Sequence, residues 1–202
     1  METYSLAIIT KKIYDSSFSL FTLKTLRDVL EIRKEGTMFS IVKKLLRAKV
    51  LIKIERNKYL LRDAKINDFA LANFIYQPSY ISFESALNFH GILSQFPYGV
   101  SSATTKKTLV KNFQDKAFVY THIKEDLFWG YEKKQGFIIA FPEKALLDQL
   151  YLWAKGYKKI SLDEYDLSRI NLSRLKRYLK KYPQTGQFKR AIKALKEQIS
   201  NI

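Results

Sequence analysis

The chain has no cysteine, four prolines, seven glycines and two histidines among its 202 residues. Without cysteine there is no disulfide framework, no thiolate metal ligand and no cysteine nucleophile. That composition suits a reducing compartment. Two histidines cannot furnish a histidine-rich metal site. No apolar run nears the ~20 residues that a membrane-spanning helix needs. The longest, residues 137–141, reads as a buried strand. Glu2 stands before Leu6-Ala7-Ile8-Ile9 with no basic leading segment, so no secretory signal is expected. HExxH spacing, a Walker loop and a GxSxG elbow are all missing.

Acidic residues are scarce as well. There are 19 Asp+Glu against 36 Lys+Arg, giving a formal net charge of +17. Hydrophobic residues make up 47% of the chain, enough to bury a core in one or two domains. A charge of this size implies a polyanionic partner, either nucleic acid or an acidic membrane surface. The charge is uneven: residues 1–66 carry +8, residues 67–154 carry zero and residues 155–202 carry +9. Two basic ends around a neutral middle point to two polyanion-facing surfaces on a neutral scaffold.

Apolar Tyr4, Ala7, Ile8 and Tyr14 predict a first helix over residues 4–14. Thr22 is a fitting N-cap for a second, with Leu23, Leu26 and Leu30 on one face. Glu35-Gly36-Thr37 reads as a break, and a third helix is predicted from about Met38 to Ala48. On a wheel of ~100° per residue, Phe39, Val42, Leu45 and Leu46 form its apolar face. Thr37, Ser40, Lys44 and Arg47 lie opposite, with Lys43 at the flank. Leu51-Ile52-Lys53-Ile54 and Tyr59-Leu60-Leu61 read as two strands. Glu55-Arg56-Asn57-Lys58 is the turn between them, with Asn57 suited to a left-handed position.

Three short helices followed by a hairpin is the order of a winged helix-turn-helix, predicted over residues 1–66. Its third helix enters the major groove and its wing touches the flanking backbone. Thr37 and Ser40 are then candidates for base edges or phosphate, and Lys43, Lys44 and Arg47 for phosphate or guanine. Arg56, Asn57 and Lys58 stand at the wing tip.

Residues 67–202 read as a mixed α/β C-terminal domain, which makes the whole chain α+β. Its neutral core spans 67–154 and its basic helical tail 155–202. Helices are predicted at 67–75 and from Ser82, an N-cap, to Gly91 at C′. Strand-like segments at 99–105, 118–122, 128–131 and 136–141 predict an antiparallel sheet or ribbon. Pro142 opens a helix with Glu143 in its first turn, where the dipole favours an acid. Ala145, Leu146, Leu150 and Trp153 form its apolar stripe.

Glu84, His90, His122, Glu143 and Asp148 are the candidates for acid–base work. The paired carboxylates after a Gly-Ser turn that nucleotidyl transfer uses are not found, and no enzyme, metal or cofactor is expected. His90 reads as a helix-end residue that caps carbonyls or packs, and Glu143 and Lys144 as dipole and surface residues.

In the tail, Leu172, Leu175, Leu179 and Tyr182 line one helix, with Arg174, Arg177, Lys180 and Lys181 off that line. Phe188, Ala191, Ile192, Leu195 and Ile199 line the last helix, with Lys189, Arg190, Lys193 and Lys196 around them. The two helices are expected to pack as an antiparallel pair on the core. Their basic residues form a second surface, for nucleic acid or for an acidic protein. Basic amphipathic helices also lie on membranes, but these stripes lack Trp and can bury each other, so no membrane partner is expected.

Two segments carry a resemblance. Tyr80-Ile81-Ser82 with Glu84-Ser85-Ala86-Leu87 and His90-Gly91 is the first. Ile139-Ala140-Phe141-Pro142-Glu143-Lys144-Ala145-Leu146-Leu147-Asp148 is the second. Together they resemble the AbiE-type antitoxin family, the antitoxin half of bacterial type IV toxin–antitoxin, abortive-infection systems of phage defence. The likeness runs over residues 20–154. Members begin with a winged helix and often place Gly after the third helix and at the wing turn, where Lys49 and Asn57 stand here.

The resemblance implies a cytoplasmic bacterial antitoxin that represses its own operon at promoter inverted repeats. It also implies neutralisation of a nucleotidyltransferase-like toxin, which need not involve a stable complex. The alternative is a nucleic-acid-binding adaptor, for RNA or DNA, without a toxin partner.

Overall fold

In this computed structural model, residues 5–200 are described. The chain is mixed in class, with eight α-helices and two sheets among these residues. It divides into two compact units, Met1–Asn67 and Asp68–Ile202.

The first unit runs α1 (Leu6–Asp15), β1 (Leu20–Thr22), α2 (Leu23–Leu30), α3 (Glu35–Arg47), β2 (Leu51–Glu55) and β3 (Lys58–Leu61). Its three strands form an antiparallel sheet in the order β1-β3-β2, with Leu60 opposite both Leu20 and Ile52. The three-residue β1 is too short for an alternation signal and was not foreseen. Thr22 caps α2 by accepting the Thr25 N–H at 3.0 Å. The turn between β2 and β3 is two residues long, and Asn57 takes φ 61° within it. That conformation is natural for Asn in a hairpin whose strands twist right-handedly.

Two faces differ from expectation. On α1 the buried residues are Ile9 and Ile13, while Ala7, Ile8 and Tyr14 are exposed; Tyr4 lies outside the described residues. On α3, Met38, Ile41, Val42 and Leu45 are buried with Phe21, Leu26 and Leu51, and Phe39 is 47% exposed. The true apolar stripe is rotated by about 60° from the expected one, because Met38 and Ile41 outweigh Phe39.

Helix α3 also starts earlier, at Glu35, so Gly36 lies inside its first turn. The orphan N–H groups there ask little of the residue, and Glu35 suits the dipole. The helix ends in a Schellman motif: Val50 N–H reaches Leu45 O at 3.0 Å, and Lys49 N–H reaches Leu46 O at 3.1 Å. Lys49 adopts φ 57°, the conformation that a glycine takes at lowest cost.

The second unit runs α4 (Asp68–Ile75), β4 (Ser79–Ile81), α5 (Phe83–Phe89), β5 (Gly99–Thr104), β6 (Leu109–Phe113), β7 (Lys116–His122), β8 (Tyr131–Lys134), β9 (Phe137–Ala140), α6 (Pro142–Ala154), α7 (Leu172–Leu179) and α8 (Gly186–Ser200). Its six strands are ordered β6-β7-β5-β4-β9-β8. The sheet is mixed rather than antiparallel: β4 pairs with β9, and β5 with β7, in parallel. Strands adjacent in sequence, β6–β7 and β8–β9, do pair as antiparallel ribbons. The parallel pairs join segments that no local turn connects. Residues 128–130 form the bend before β8 rather than part of a strand.

Helix α4 covers one face, where Tyr120 donates to Ala72 O at 2.7 Å. Asn73 on α4 accepts the Ile138 N–H at 2.7 Å. Helix α6 lies on the Tyr80 side, and α5, which continues from β4, also meets α4 where Phe89 packs on Phe69 and Phe137. Tyr80 and Ser82 reach Asp148, and Ser101 Oγ donates to Ser82 O.

The tail helices pack on α6 rather than chiefly on each other. Between α6, α7 and α8 lies an apolar groove of about 290 Å³, lined by Leu147, Leu175, Leu179, Ile192 and Leu195. Tyr182 belongs to the turn after α7, not to its stripe. Among the described residues, no helix is long and apolar enough to cross a membrane.

Candidate nucleic-acid interface and a buried ionic centre

The outward face of α3 is read directly from its buried face. Gly36, Ser40, Lys43, Lys44 and Arg47 are exposed, and Thr37 is half-buried in the first turn. Gly36, Phe39, Ser40, Lys43, Lys44 and Arg47 recur at helical spacing and form one stripe. Ser40 Oγ donates back to Gly36 O at 3.1 Å, which leaves its lone pairs free to accept. At the hairpin tip Arg56 and Asn57 are exposed. Lys58 is ion-paired with Glu55 at 2.8 Å, so part of the hairpin's charge is neutralised locally. The stripe of α3 holds three cations and no carboxylate beyond Glu35 at its start.

The neutral middle holds the larger surprise. Lys144, expected on the surface, has no exposed area, and Glu143 has 1%. Lys144 is ion-paired with Asp148 one turn along α6 and donates to Tyr182 Oη at 2.7 Å. Asp148 Oδ1 also accepts from Tyr182 at 2.7 Å. Its Oδ2 accepts from Tyr80 at 2.9 Å and Ser82 at 2.8 Å. Each carboxylate oxygen thus has two donors, the full complement of a carboxylate.

The Lys144 ammonium lies 4.9 Å from the Trp129 ring centre and 5.0 Å from that of Tyr182. Gly130 makes the cage possible: at φ 76° it lets the Lys144 stem pass where a Cβ would meet Cγ at 3.0 Å. Burial pushes the Lys144 ammonium below its ordinary value, against the pull of Asp148. Burial, with the Asp148 charge behind it, pushes the Tyr80 and Tyr182 hydroxyls well above theirs. A buried, saturated cluster of this kind holds elements together and leaves no open position for a substrate.

Glu143 is likewise structural. Its carboxylate accepts the Asn171 N–H at 2.9 Å, and Arg174 Nη1 lies at 3.4 Å. Asn171 caps α7 through the Arg174 N–H at 2.9 Å. Arg174 also stacks 4.9 Å from the Phe141 ring centre, so it anchors α7 rather than standing free. Lys181 lies 4.6 Å from the Trp129 ring centre, and Arg177 5.8 Å from that of Tyr178. Lys180, Lys189, Arg190, Lys193 and Lys196 are exposed, Lys193 being 3.9 Å from Glu197.

His90 Nε2 lies 2.8 Å from Ala140 O at the end of α5, and burial lowers its basicity. His122 is exposed, with Nδ1 3.1 Å from Lys106 O. Burial would raise the Glu84 carboxyl, but hydrogen bonds from Lys158 and Gln149 outweigh it and hold it low. Among the described residues, no cluster of His, Asp and Glu has metal-binding geometry.

The two segments singled out in the sequence meet in this unit. Ile81 pairs with Ile139, His90 with Ala140, and Tyr80 and Ser82 with Asp148. Sequence reasoning missed the burial of Lys144. A partial signal was present: the apolar residues of 142–154 fall on every side of the helix, although the groups that accept the Lys144 charge beyond Asp148 lie far off in sequence. Phe39 was missed as a surface residue for the opposite reason, since a wheel assigns aromatics to the core. The chain matches no protein-family model and no curated protein.

Proposed function

We propose that the first unit is a winged helix-turn-helix that binds duplex DNA, with α3 as the groove-reading helix and β2–β3 as the wing. The element order α1-β1-α2-α3-β2-β3, with β1 closing the sheet against β3, supports this reading. The observation that carries it is the exposed stripe of α3, where Lys43, Lys44 and Arg47 lie together on the face away from the core. Such a face neutralises phosphates and releases counterions.

With the resemblance of the second unit, the best-supported function is that of an antitoxin of a type IV system. It represses its own operon at promoter inverted repeats and neutralises a nucleotidyltransferase-like toxin. The second unit contributes a scaffold whose tail offers further cations on α8.

The test of the repressor is binding of duplex from upstream of its own reading frame, compared with random duplex at moderate salt. The upstream sequence is expected to bind more tightly, and equal affinities would overturn sequence-specific repression in favour of a general nucleic-acid adaptor. The antitoxin half is tested by co-expression with the product of the adjacent reading frame. Growth should be lost with that product alone and restored by this chain.

A further inference from the structure

We propose, resting on the DNA-binding reading of the first unit, that Phe39 is a sequence-reading residue that packs on the 5-methyl group of a thymine in the major groove. The stripe of α3 is divided along its length. Its N-terminal half presents Gly36, Phe39 and Ser40, which carry no charge; its C-terminal half presents Lys43, Lys44 and Arg47. Base edges are met by the N-terminal residues of a groove-reading helix. Phosphate neutralisation is the work of the cations.

Phe39 is 47% exposed and stands at the edge of that stripe, between Gly36 and Lys43 on the helix surface. A lone exposed phenyl on an ordinary surface needs no explanation. This one lies on the polar face of an amphipathic helix whose buried face is complete without it. The major groove offers one apolar group, the thymine methyl, and that methyl is what an aromatic side chain there can read. Gly36 deepens the fit: a Cβ there would meet nothing within 4 Å of the protein, so the first turn is bare toward whatever approaches. Ser40, one residue on, has its proton engaged by Gly36 O and can accept from a donor on a neighbouring base edge. The occupant is therefore a duplex with a thymine next to the site of the Ser40 contact.

The test starts from duplexes selected out of a random pool by the full-length protein. Each thymidine in the selected site is then replaced by deoxyuridine, which removes only the methyl. At one or two positions the wild type is expected to lose about fourfold in affinity, the worth of one buried methyl. Phe39→Ala should be indifferent to the same replacement, and Phe39→Leu should keep part of the sensitivity. The salt dependence of both variants should match the wild type, because the phosphate contacts are untouched. Equal binding of thymine and uracil duplexes by the wild type overturns the inference. So does a Phe39→Ala protein that still discriminates at those positions. If the wild type selects no sequence at all, the DNA-reading proposal itself falls, and that outcome is distinct from the two before it.

Discussion

Lys44 and Lys144 are the same residue type on two helices of similar length, and they do opposite things. Lys44 stands in water on α3, beside Lys43 and Arg47. Lys144 is sealed inside the second unit with one carboxylate, one hydroxyl and three rings. The surface cations cost the fold little and are available to a partner. The interior cation is stable only while every group around it is present, since an unpaired buried charge is expensive. A net charge counts the two alike, although only one of them speaks about partners.

The comparison is broken most directly at Asp148. Asp148→Ala strands Lys144 without its counter-ion and is expected to lower unfolding stability by about 3–5 kcal/mol. Denaturant titration of the full chain checks this, and a loss below about 1 kcal/mol would mean that Lys144 escapes to solvent. The surface counterpart is Lys44→Ala with Arg47→Ala. Stability should change by less than about 0.5 kcal/mol per site. DNA affinity should fall roughly a hundredfold, with the slope of log K against log salt shallower by about 1.8. Unchanged affinity would remove α3 from the interface.

The third contrast is pH. The Tyr80, Tyr165 and Tyr182 hydroxyls are raised by burial, that of Tyr165 to about 12. The unfolded chain releases these protons near pH 10, while the folded chain still holds them. Their contribution is therefore fully present below pH 10 and is lost as the pH rises through the folded values. Melting temperature should drop as the pH rises from about 10 towards 12, and Tyr165→Phe should flatten that drop. A wild-type profile that stays level would show these hydroxyls to be hydrated.

The smallest effect is at Gly36. Gly36→Ala should stabilise the first unit by about 0.4–1 kcal/mol, because a helical φ is fixed at lower entropic cost and the Cβ meets nothing. Any accompanying loss of DNA affinity, measured by titration, locates the partner against that turn.

Much of the first unit was legible in the sequence because its signals are local. Thr22 is the cap expected, and Asn57 takes the left-handed turn between two short strands. Pro142 likewise opens α6 where it was placed. The candidate cations of α3 all lie on its outer side, and Ser40 with them. Phe39 went to the wrong face because four residues were weighed without Met38 and Ile41. The antiparallel sheet and the surface placement of Glu143 and Lys144 failed for a different reason: each depends on segments far apart in the chain. The tail helices do pack on the core as expected, but on α6 more than on each other.

Composition, periodicity and turn chemistry determined where the helices and hairpins lie and which thirds of the chain carry charge. Those properties belong to residues within a few positions of one another. The tertiary structure alone decided which charges are available. Asp148 finds Tyr80 at a separation of 68 residues and Tyr182 at 34. Whether a lysine faces water or a carboxylate is set by what the rest of the chain packs over it, and no window of sequence around Lys144 contains its partners Tyr80, Trp129 and Tyr182.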